Sequence, residues 1–435
     1  MLRTDAIVGR IEALQGVREQ LERLLSEHPL TAVFDPSHPR VRLHEPTYGI
    51  EEIWEVLDSL LTTRVTMGEK VARFERVFSE AFGFRHASMV NSGSSANLLA
   101  VAALTNPAAS RRLNPGDEVI VPALSWSTTV WPLIQHQLVP VIVDIDPLTL
   151  NLDANEVKRA ISPRTKGMMA VHVYGNPCDM NPLMALARQH DLALIEDCCE
   201  AIGASYGGRA VGSFGRVGTF SFYFSHHITT LEGGMCVTAD NDMAELMRIL
   251  RAHGWVRETS DPSRYVQANP EIHPRFLFVN LGYNLRPTEL QGGFGSVQLK
   301  KLHSFVEIRT ANARFWQEQL GRFSDVFEFQ QETAGGVHSW FGFPMAVKRM
   351  APFSAGELTS ALTQRGIETR PLIAGNIAKQ PAMQYYAHRV VGDLAHASHI
   401  MERGFTFGNH QGVNEAAREY VAGAIHEFLS SRGVA

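Results

Sequence analysis

Gly167-Met168-Met169-Ala170-Val171-His172-Val173 and, after one helical segment, Leu192-Ala193-Leu194-Ile195-Glu196-Asp197-Cys198 are the stretches whose reading decides the fold. Each is too short for a helix of its own and is apolar without strict alternation, the pattern of a strand covered on both faces. Runs of the same kind recur on either side: DEVIVPA (117–123), PVIVDID (140–146), VGTFSFY (217–223) and GGMCVTA (233–239). They are bounded by Gly, Pro and Asp and separated by helical segments, so residues 85–255 predict an α/β core with a mostly parallel sheet. Ligands of such sheets bind outside the carboxyl ends of the strands, which singles out the polar residues just after each run.

Beyond that core, Ile7, Ile11, Leu14, Val17, Leu21 and Leu24 recur at helical spacing, predicting an amphipathic leading helix that packs on the surface or on a partner subunit. A proline-dotted stretch from Pro29 to Pro46 leads to a second helix near Glu51–Leu61. A long helix is expected near Thr288–Arg309, followed by short strands such as SWFGFPMAV mixed with helices. The expected division is an N-terminal helical appendage (1–45), a large α/β domain (46–300) and a smaller C-terminal α+β domain (301–435).

With 435 residues, 45% of them hydrophobic and 20% charged, the chain can bury one large core or two moderate ones. The first 25 residues carry charges every few positions and no unbroken apolar run, unlike a signal peptide or a membrane span, so a cytoplasmic location without membrane is expected. Four cysteines, two of them adjacent at Cys198 and Cys199, make neither a secreted disulfide framework nor a CxxC metal knuckle. A formal charge of -5 with both signs interspersed offers no basic face for nucleic acid, leaving a small-molecule substrate.

The run Asn91-Ser92-Gly93-Ser94-Ser95-Ala96-Asn97 follows the apolar HASMV and opens a helix. Small residues there let backbone N–H groups close on an anion, helped by the helix dipole, although Gly-Ser helix starts also serve simply as caps. At the end of LALIE stands Asp197, with Glu200 three residues on; a carboxylate in that place holds the proton of a pyridinium nitrogen or caps the next helix. Downstream, Ser221 to Gly234 reads SFYFSHHITTLEGG. The paired His226 and His227 suggest metal ligands at first sight, but adjacent side chains on an extended segment point apart and no other ligand cluster accompanies them, so no metal is expected.

The ordered set SGSSAN, PALSWSTT, IEDCCEAIGA, SFYFSHHITTLEGG, RAHGW and GYNLRPTELQG resembles the DegT/DnrJ/EryC1/StrS family of sugar aminotransferases, from about Glu51 to the end. The resemblance implies a fold-type I, aspartate aminotransferase-like enzyme with a mostly parallel seven-stranded sheet, using pyridoxal 5′-phosphate and its amine form. Where the aminotransferases carry a Schiff-base lysine followed by Asn, this chain has His226 and His227. The sequence SHHIxTxEGG, with SWSTT, RAHGW, SWFGF and GNHQ, is similar to the histidine-containing branch typified by GDP-4-keto-6-deoxy-D-mannose 3-dehydratase. A second histidine branch, of the CDP-4-keto-6-deoxy-D-glucose 3-dehydrase type, adds a two-iron cluster held by cysteines after the histidine. Here only Cys236 follows His226, so no iron–sulfur cluster is expected.

By resemblance Gly93, Ser94 and Ser95 hold the phosphate, Trp126 stacks on the pyridine ring, Asp197 pairs with its nitrogen, and Ser221 adds a phosphate contact. Glu200 and His253 sit close to the cofactor, and Asn284 reaches the phosphate from a second subunit, implying a homodimer. Read without the motifs, Trp126 and Ser221 are equally well core packing. Arg286 and Arg370 are candidates for a substrate diphosphate or are surface charges. An imidazole forms no stable imine with an aldehyde, and none of the seven lysines lies in a strand-end motif of the core. The expected chemistry is therefore removal of the C3 hydroxyl of a nucleotide-linked 4-keto-6-deoxy sugar, with L-glutamate as amino donor by family analogy, His226 moving the protons and ammonia released. The alternatives are a sugar aminotransferase working without lysine, a cofactor-binding module without catalysis, and the same elimination on a nucleoside-linked keto sugar.

Overall fold

The structure is a computed structural model that describes residues 2–31 and 33–434, with side chains from residue 15 onward. Seven strands build the main sheet: β1 (His86–Val90), β2 (Glu118–Pro122), β3 (Val139–Val143), β4 (Thr165–Val171), β5 (Ala193–Asp197), β6 (Val217–Ser221) and β7 (Gly234–Thr238). Their order across the sheet is β1-β7-β6-β5-β4-β2-β3, and β7 alone runs antiparallel to its neighbours. An eighth, two-residue strand, Arg389–Val390, closes the β3 edge in parallel, so the sheet is one strand wider than the seven expected. Every residue of β2, β5, β6 and β7 is buried, which is why these strands read as unbroken apolar runs.

Helices cover both faces. Gly93–Thr105 is apolar around most of its circumference because it lies between the sheet and neighbouring helices, with nine buried residues. Its start is fixed by Ser92, whose hydroxyl accepts the Ser95 N–H at 3.0 Å. The helix Glu289–Leu320 begins at the expected Thr288 with a Thr288/Gln291 capping box and runs eleven residues past Arg309. Position 300 therefore falls inside one continuous helix that packs on Ile50–Leu61 and Glu69–Phe82 and then on the C-terminal helix Glu415–Ser431.

A four-stranded antiparallel sheet follows, in the order Phe327–Phe329, Met345–Val347, Gly404–Phe407 and Thr369–Pro371. It has its own core around Trp316, Phe343 and Phe407, to which Val41 contributes from the N-terminal segment. The leading helix spans Leu2–Glu27, with Arg18 lying 5.6 Å over the Trp54 ring and Val17 and Leu24 exposed. The packing expected of Ile7, Ile11 and Leu14 lies outside the described side chains. No helix among the described residues is long and apolar enough to cross a membrane.

Candidate active site

The turns after β1, β2, β5 and β6 converge at the carboxyl ends of the parallel strands, where they surround a cavity of about 530 Å³. Its walls carry Gly93, Ser94, Trp126, Asp197, Glu200, Ser221, His226 and Arg370, eight residues picked out from the sequence. Two larger clefts, of about 1050 and 1080 Å³, are open surface grooves without such convergence.

One end of the cavity is the N-terminus of the helix Gly93–Thr105. Gly93 is required there by space: a methyl group on it would overlap Ser221 Cβ and lie 2.7 Å from Ser221 Oγ. Ser94, at the exposed first turn, pairs with Thr128 at 2.9 Å. The free N–H groups of this turn, with the Ser94, Thr128 and Ser221 hydroxyls, make a cradle of donors for a phosphate. Ser95 does not belong to it. One step further round the helix, its hydroxyl turns back to donate to Asn91 at 2.6 Å, and its N–H serves the Ser92 cap.

At the other end, Asp197 is the last residue of β5 and is nearly inaccessible. Its Oδ2 accepts from Asn97 and Thr129, each at 2.8 Å, and Oδ1 accepts the Cys199 N–H at 3.1 Å. Thr219 donates to the Asn97 carbonyl at 2.6 Å and so fixes which end of that amide faces the aspartate. Sequence reading passed over Asn97 and Thr129 as site residues, although both stand inside quoted motifs. A carboxylate fixed in place by this many donors suits a pyridinium N–H. Trp126 forms a side wall with 57% of its surface exposed, far more than a core tryptophan leaves open, which favours a stacking platform over packing.

Glu196, one residue earlier, points to the opposite face of the sheet. It accepts the N–H groups of Gly212, Phe214 and Gly215 and contacts His172 Nε2 at 3.2 Å. With Cys198 these groups lie close enough to suggest a metal site. His172 Nδ1, however, accepts the Cys178 N–H at 2.9 Å, so its proton sits on Nε2 facing Glu196 and neither nitrogen is free to ligate. The thiol of Cys236 lies within β7 and points to the Ala96 carbonyl at 3.3 Å.

His226 lies between the aromatic rings of Phe341, at 5.1 Å, and Tyr223, at 6.0 Å. Burial, followed by the positive charges of Arg370 and Arg309, pushes its pKa down to about 3. The imidazole is therefore neutral across the physiological range, far from the ordinary histidine value near 6.5. Glu200 behaves oppositely. Burial raises its pKa to about 7 and nearby Asp197 adds to the rise, while Arg370 and the Tyr174 N–H, at 3.0 Å, pull it back.

Arg370 reaches this inner region, 5.8 Å over the Phe341 ring, rather than the outer mouth. Besides Ser95, three expected residues, His253, Asn284 and Arg286, do not line the cavity of this chain. His253 adopts φ 61°, its N–H bonds the Tyr283 carbonyl, and its ring packs 5.2 Å from Trp255. Asn284 is exposed and accepts from Arg286 at 2.9 Å, both on the arm that follows. Phe341, Tyr223 and Glu232 do line it and were not singled out, because an aromatic run reads as core and the Glu-Gly-Gly turn as a turn.

A phosphate cradle at a helix start, a buried carboxylate beyond it and an open aromatic wall between them fit a phosphorylated pyridine. The chain belongs to the DegT/DnrJ/EryC1/StrS aminotransferase family, whose model matches residues 46–426. Among its relatives, GDP-4-keto-6-deoxy-D-mannose 3-dehydratase of Yersinia pseudotuberculosis is 41% identical over 368 residues, 83% of this chain and 91% of the relative. The Escherichia coli GDP-4-keto-6-deoxy-D-mannose-3-dehydratase, solved with bound hydrated pyridoxal phosphate, superposes with a TM-score of 0.82 at 36% identity, covering 89% of this chain and 99% of that one. A structure of a GDP-4-keto-6-deoxymannose-3-dehydratase holding a trapped pyridoxal phosphate–glutamate geminal diamine matches with a TM-score of 0.82 at 35% identity, covering 89% of this chain and all of the other.

Proposed function

We propose that this chain is a pyridoxal/pyridoxamine phosphate-dependent 3-dehydratase of a nucleotide-linked 4-keto-6-deoxyhexose, with L-glutamate as amino donor and ammonia as co-product. The observation that carries the reading is His226: a neutral imidazole lines the cavity that Asp197 and Glu200 also line, and no lysine lines it among the described residues.

When bound, the cofactor's amine form supplies a nitrogen that condenses with the sugar's C4 ketone and a conjugated ring that accepts electrons. Gly93, Ser94 and Ser221 hold the phosphate. Asp197, fixed by Asn97 and Thr129, keeps the ring nitrogen protonated. Trp126 covers one face of the ring. His226 takes a proton at the cofactor's C4′ and returns it to the departing C3 hydroxyl; its low pKa makes the protonated ring a strong acid for that second task. Glu200, titrating near neutrality, is the second group able to carry a proton here. No lysine lines the cavity among the described residues, so no side chain there would recapture the cofactor as an imine and the site would be left to water.

Arg370, deep in the cavity, suits a donor carboxylate or the sugar better than a diphosphate at the mouth. A homodimer in the cytoplasm completes the reading. Tyr223 and Leu231 are exposed at and beside the cavity rim, and Phe276, Phe278 and Leu281 are exposed on the arm that bears Asn284. That supports a second copy covering this side and delivering Asn284 to the phosphate.

The test is a spectrum of the protein with pyridoxal phosphate, before and after L-glutamate, followed by ammonia assays with nucleotide-linked 4-keto-6-deoxy sugars. Glutamate should convert the aldehyde to the amine form, borohydride should fix no cofactor to the chain, and the sugar should release ammonia. A borohydride-trapped lysine adduct, or a 4-amino sugar formed without ammonia, sinks the reading.

A further inference from the structure

Two sequence motifs remain unused by this mechanism, Ser339-Trp340-Phe341-Gly342-Phe343 and Gly408-Asn409-His410-Gln411. Both fold onto one buried cation. Arg309, on the inward face of Glu289–Leu320, is 2% exposed and pairs with no carboxylate among the described residues. Its Nη1 donates to the carbonyls of Phe341 at 2.8 Å and Trp340 at 3.4 Å, and to that of Asn409. Asn409 closes the loop, its Nδ2 donating to the Arg309 carbonyl at 3.2 Å and the Trp340 carbonyl at 3.3 Å.

The segment held in this way is under strain and touches both histidines. Trp340 stands at φ 51°, a conformation that a bulky residue keeps only where its surroundings impose it. Ser339 offers its carbonyl to His227 Nε2 at 2.9 Å, and the Phe341 ring packs 5.1 Å from His226 and 5.7 Å from His227. The aim of an acid–base histidine is ordinarily fixed by a hydrogen bond at its second nitrogen. His226 Nδ1 is buried and meets no protein donor or acceptor among the described residues, so packing has to do the aiming.

We propose that Arg309 is a positioning residue that acts through Phe341: by gripping the Trp340, Phe341 and Asn409 carbonyls, it sets the aromatic wall against which His226 is aimed. The inference deepens the reading of His226 as the proton carrier and rests on it.

The experiment uses the full-length protein with its histidines labelled with carbon-13 at Cε1, the His226 signal being assigned by its loss in His226→Gln. Arg309→Lys and Arg309→Met should each move that signal. They should also lower kcat for ammonia release about tenfold or more while the sugar KM stays within about twofold, the pattern of a misaimed group rather than lost binding. Leu183→Ala, in a core cluster away from the site, should lower the melting temperature and move neither readout. Folded Arg309 variants with an unmoved His226 signal and an unchanged kcat would overturn the proposal. If neither Arg309 variant folds, Phe341→Leu probes the same link from its other end, and an unchanged kcat there overturns it equally. Absence of ammonia from the unaltered enzyme with every sugar would instead refute the dehydratase reading, while the His226 signal still decides the role of Arg309.

Discussion

Replacing Gly93 with alanine tests the phosphate cradle directly. The added methyl would collide with Ser221 Cβ, lie 2.7 Å from Ser221 Oγ and 3.1 Å from Cys199 Sγ. Ser221 Cβ, fixed by its backbone, cannot swing away. Ser221 ends β6, which is paired on both sides, and the Cys199 backbone is tied to Asp197. Relief must come from the Ser221 hydroxyl leaving the cradle or from the helix start backing off. Overpacking of this kind costs about 1–3 kcal/mol of stability. Losing one hydrogen bond to a charged phosphate costs about 1.5–3 kcal/mol of binding. At about 1.4 kcal/mol per decade, Gly93→Ala should weaken pyridoxal phosphate binding by about 10- to 150-fold. Titration of the protein with the cofactor, followed by quenching of tryptophan fluorescence, measures this. Gly423→Ala is the control, because a methyl there meets nothing within 4 Å. An affinity within about twofold of the unaltered protein for Gly93→Ala would show that the phosphate sits elsewhere.

His226→Gln should abolish ammonia release, by about 100-fold or more, while leaving cofactor affinity within about twofold; a comparable loss of affinity would assign the residue to binding instead. Glu200, with its pKa raised to about 7, should give the glutamate half-reaction an inflection near that pH, and the inflection should vanish in Glu200→Gln. Its persistence in the variant would assign the titration to another group. Burial holds His227, His338 and His410 neutral in the folded protein, with pKa values well below 6.5 and, for His410, about 3. Unfolding frees them to bind protons, so the stability they permit is complete above pH 6.5 and is lost progressively as the pH falls below it. Urea midpoints should therefore fall steeply between pH 7 and 5.5, and a flat profile over that window would refute the neutral-histidine assignment.

The strands were legible because parallel strands buried on both faces leave unbroken apolar runs. Arg389–Val390 was not, since two residues with an arginine among them carry no pattern and pair with β3 only through tertiary folding. The end of the long helix was misread at Arg309 for a related reason. Arg309 and Asn312 are buried polar residues on its inward face, and they interrupt the apolar period that marks a helix as continuing. Within the site, residues fixed by strand ends and helix starts fell where expected. Ser95 differs from Ser94 by one helical step, which the motif alone does not resolve and which turns its hydroxyl to Asn91. His253 and the arm after it, which carries Asn284 and Arg286, are placed by the fold around them, and one chain's strand pattern says nothing about where an arm reaches.

The histidine at the family's lysine position also changes what the surrounding charges do. A lysine beside Arg370 and Arg309 would be one more cation among cations, whereas a neutral imidazole tolerates both. Burial and then those arginines hold His226 near pKa 3, which makes its neutral form a weak base and its protonated form a strong acid. An anion paired with Arg370 cancels one of these causes and raises the basicity of His226. Arg309 is tied to three backbone carbonyls and pairs with no carboxylate among the described residues, so its charge remains. Under the proposed reaction, an anion at Arg370 favours proton removal by His226, while the charge of Arg309 keeps part of the imidazole's acidity.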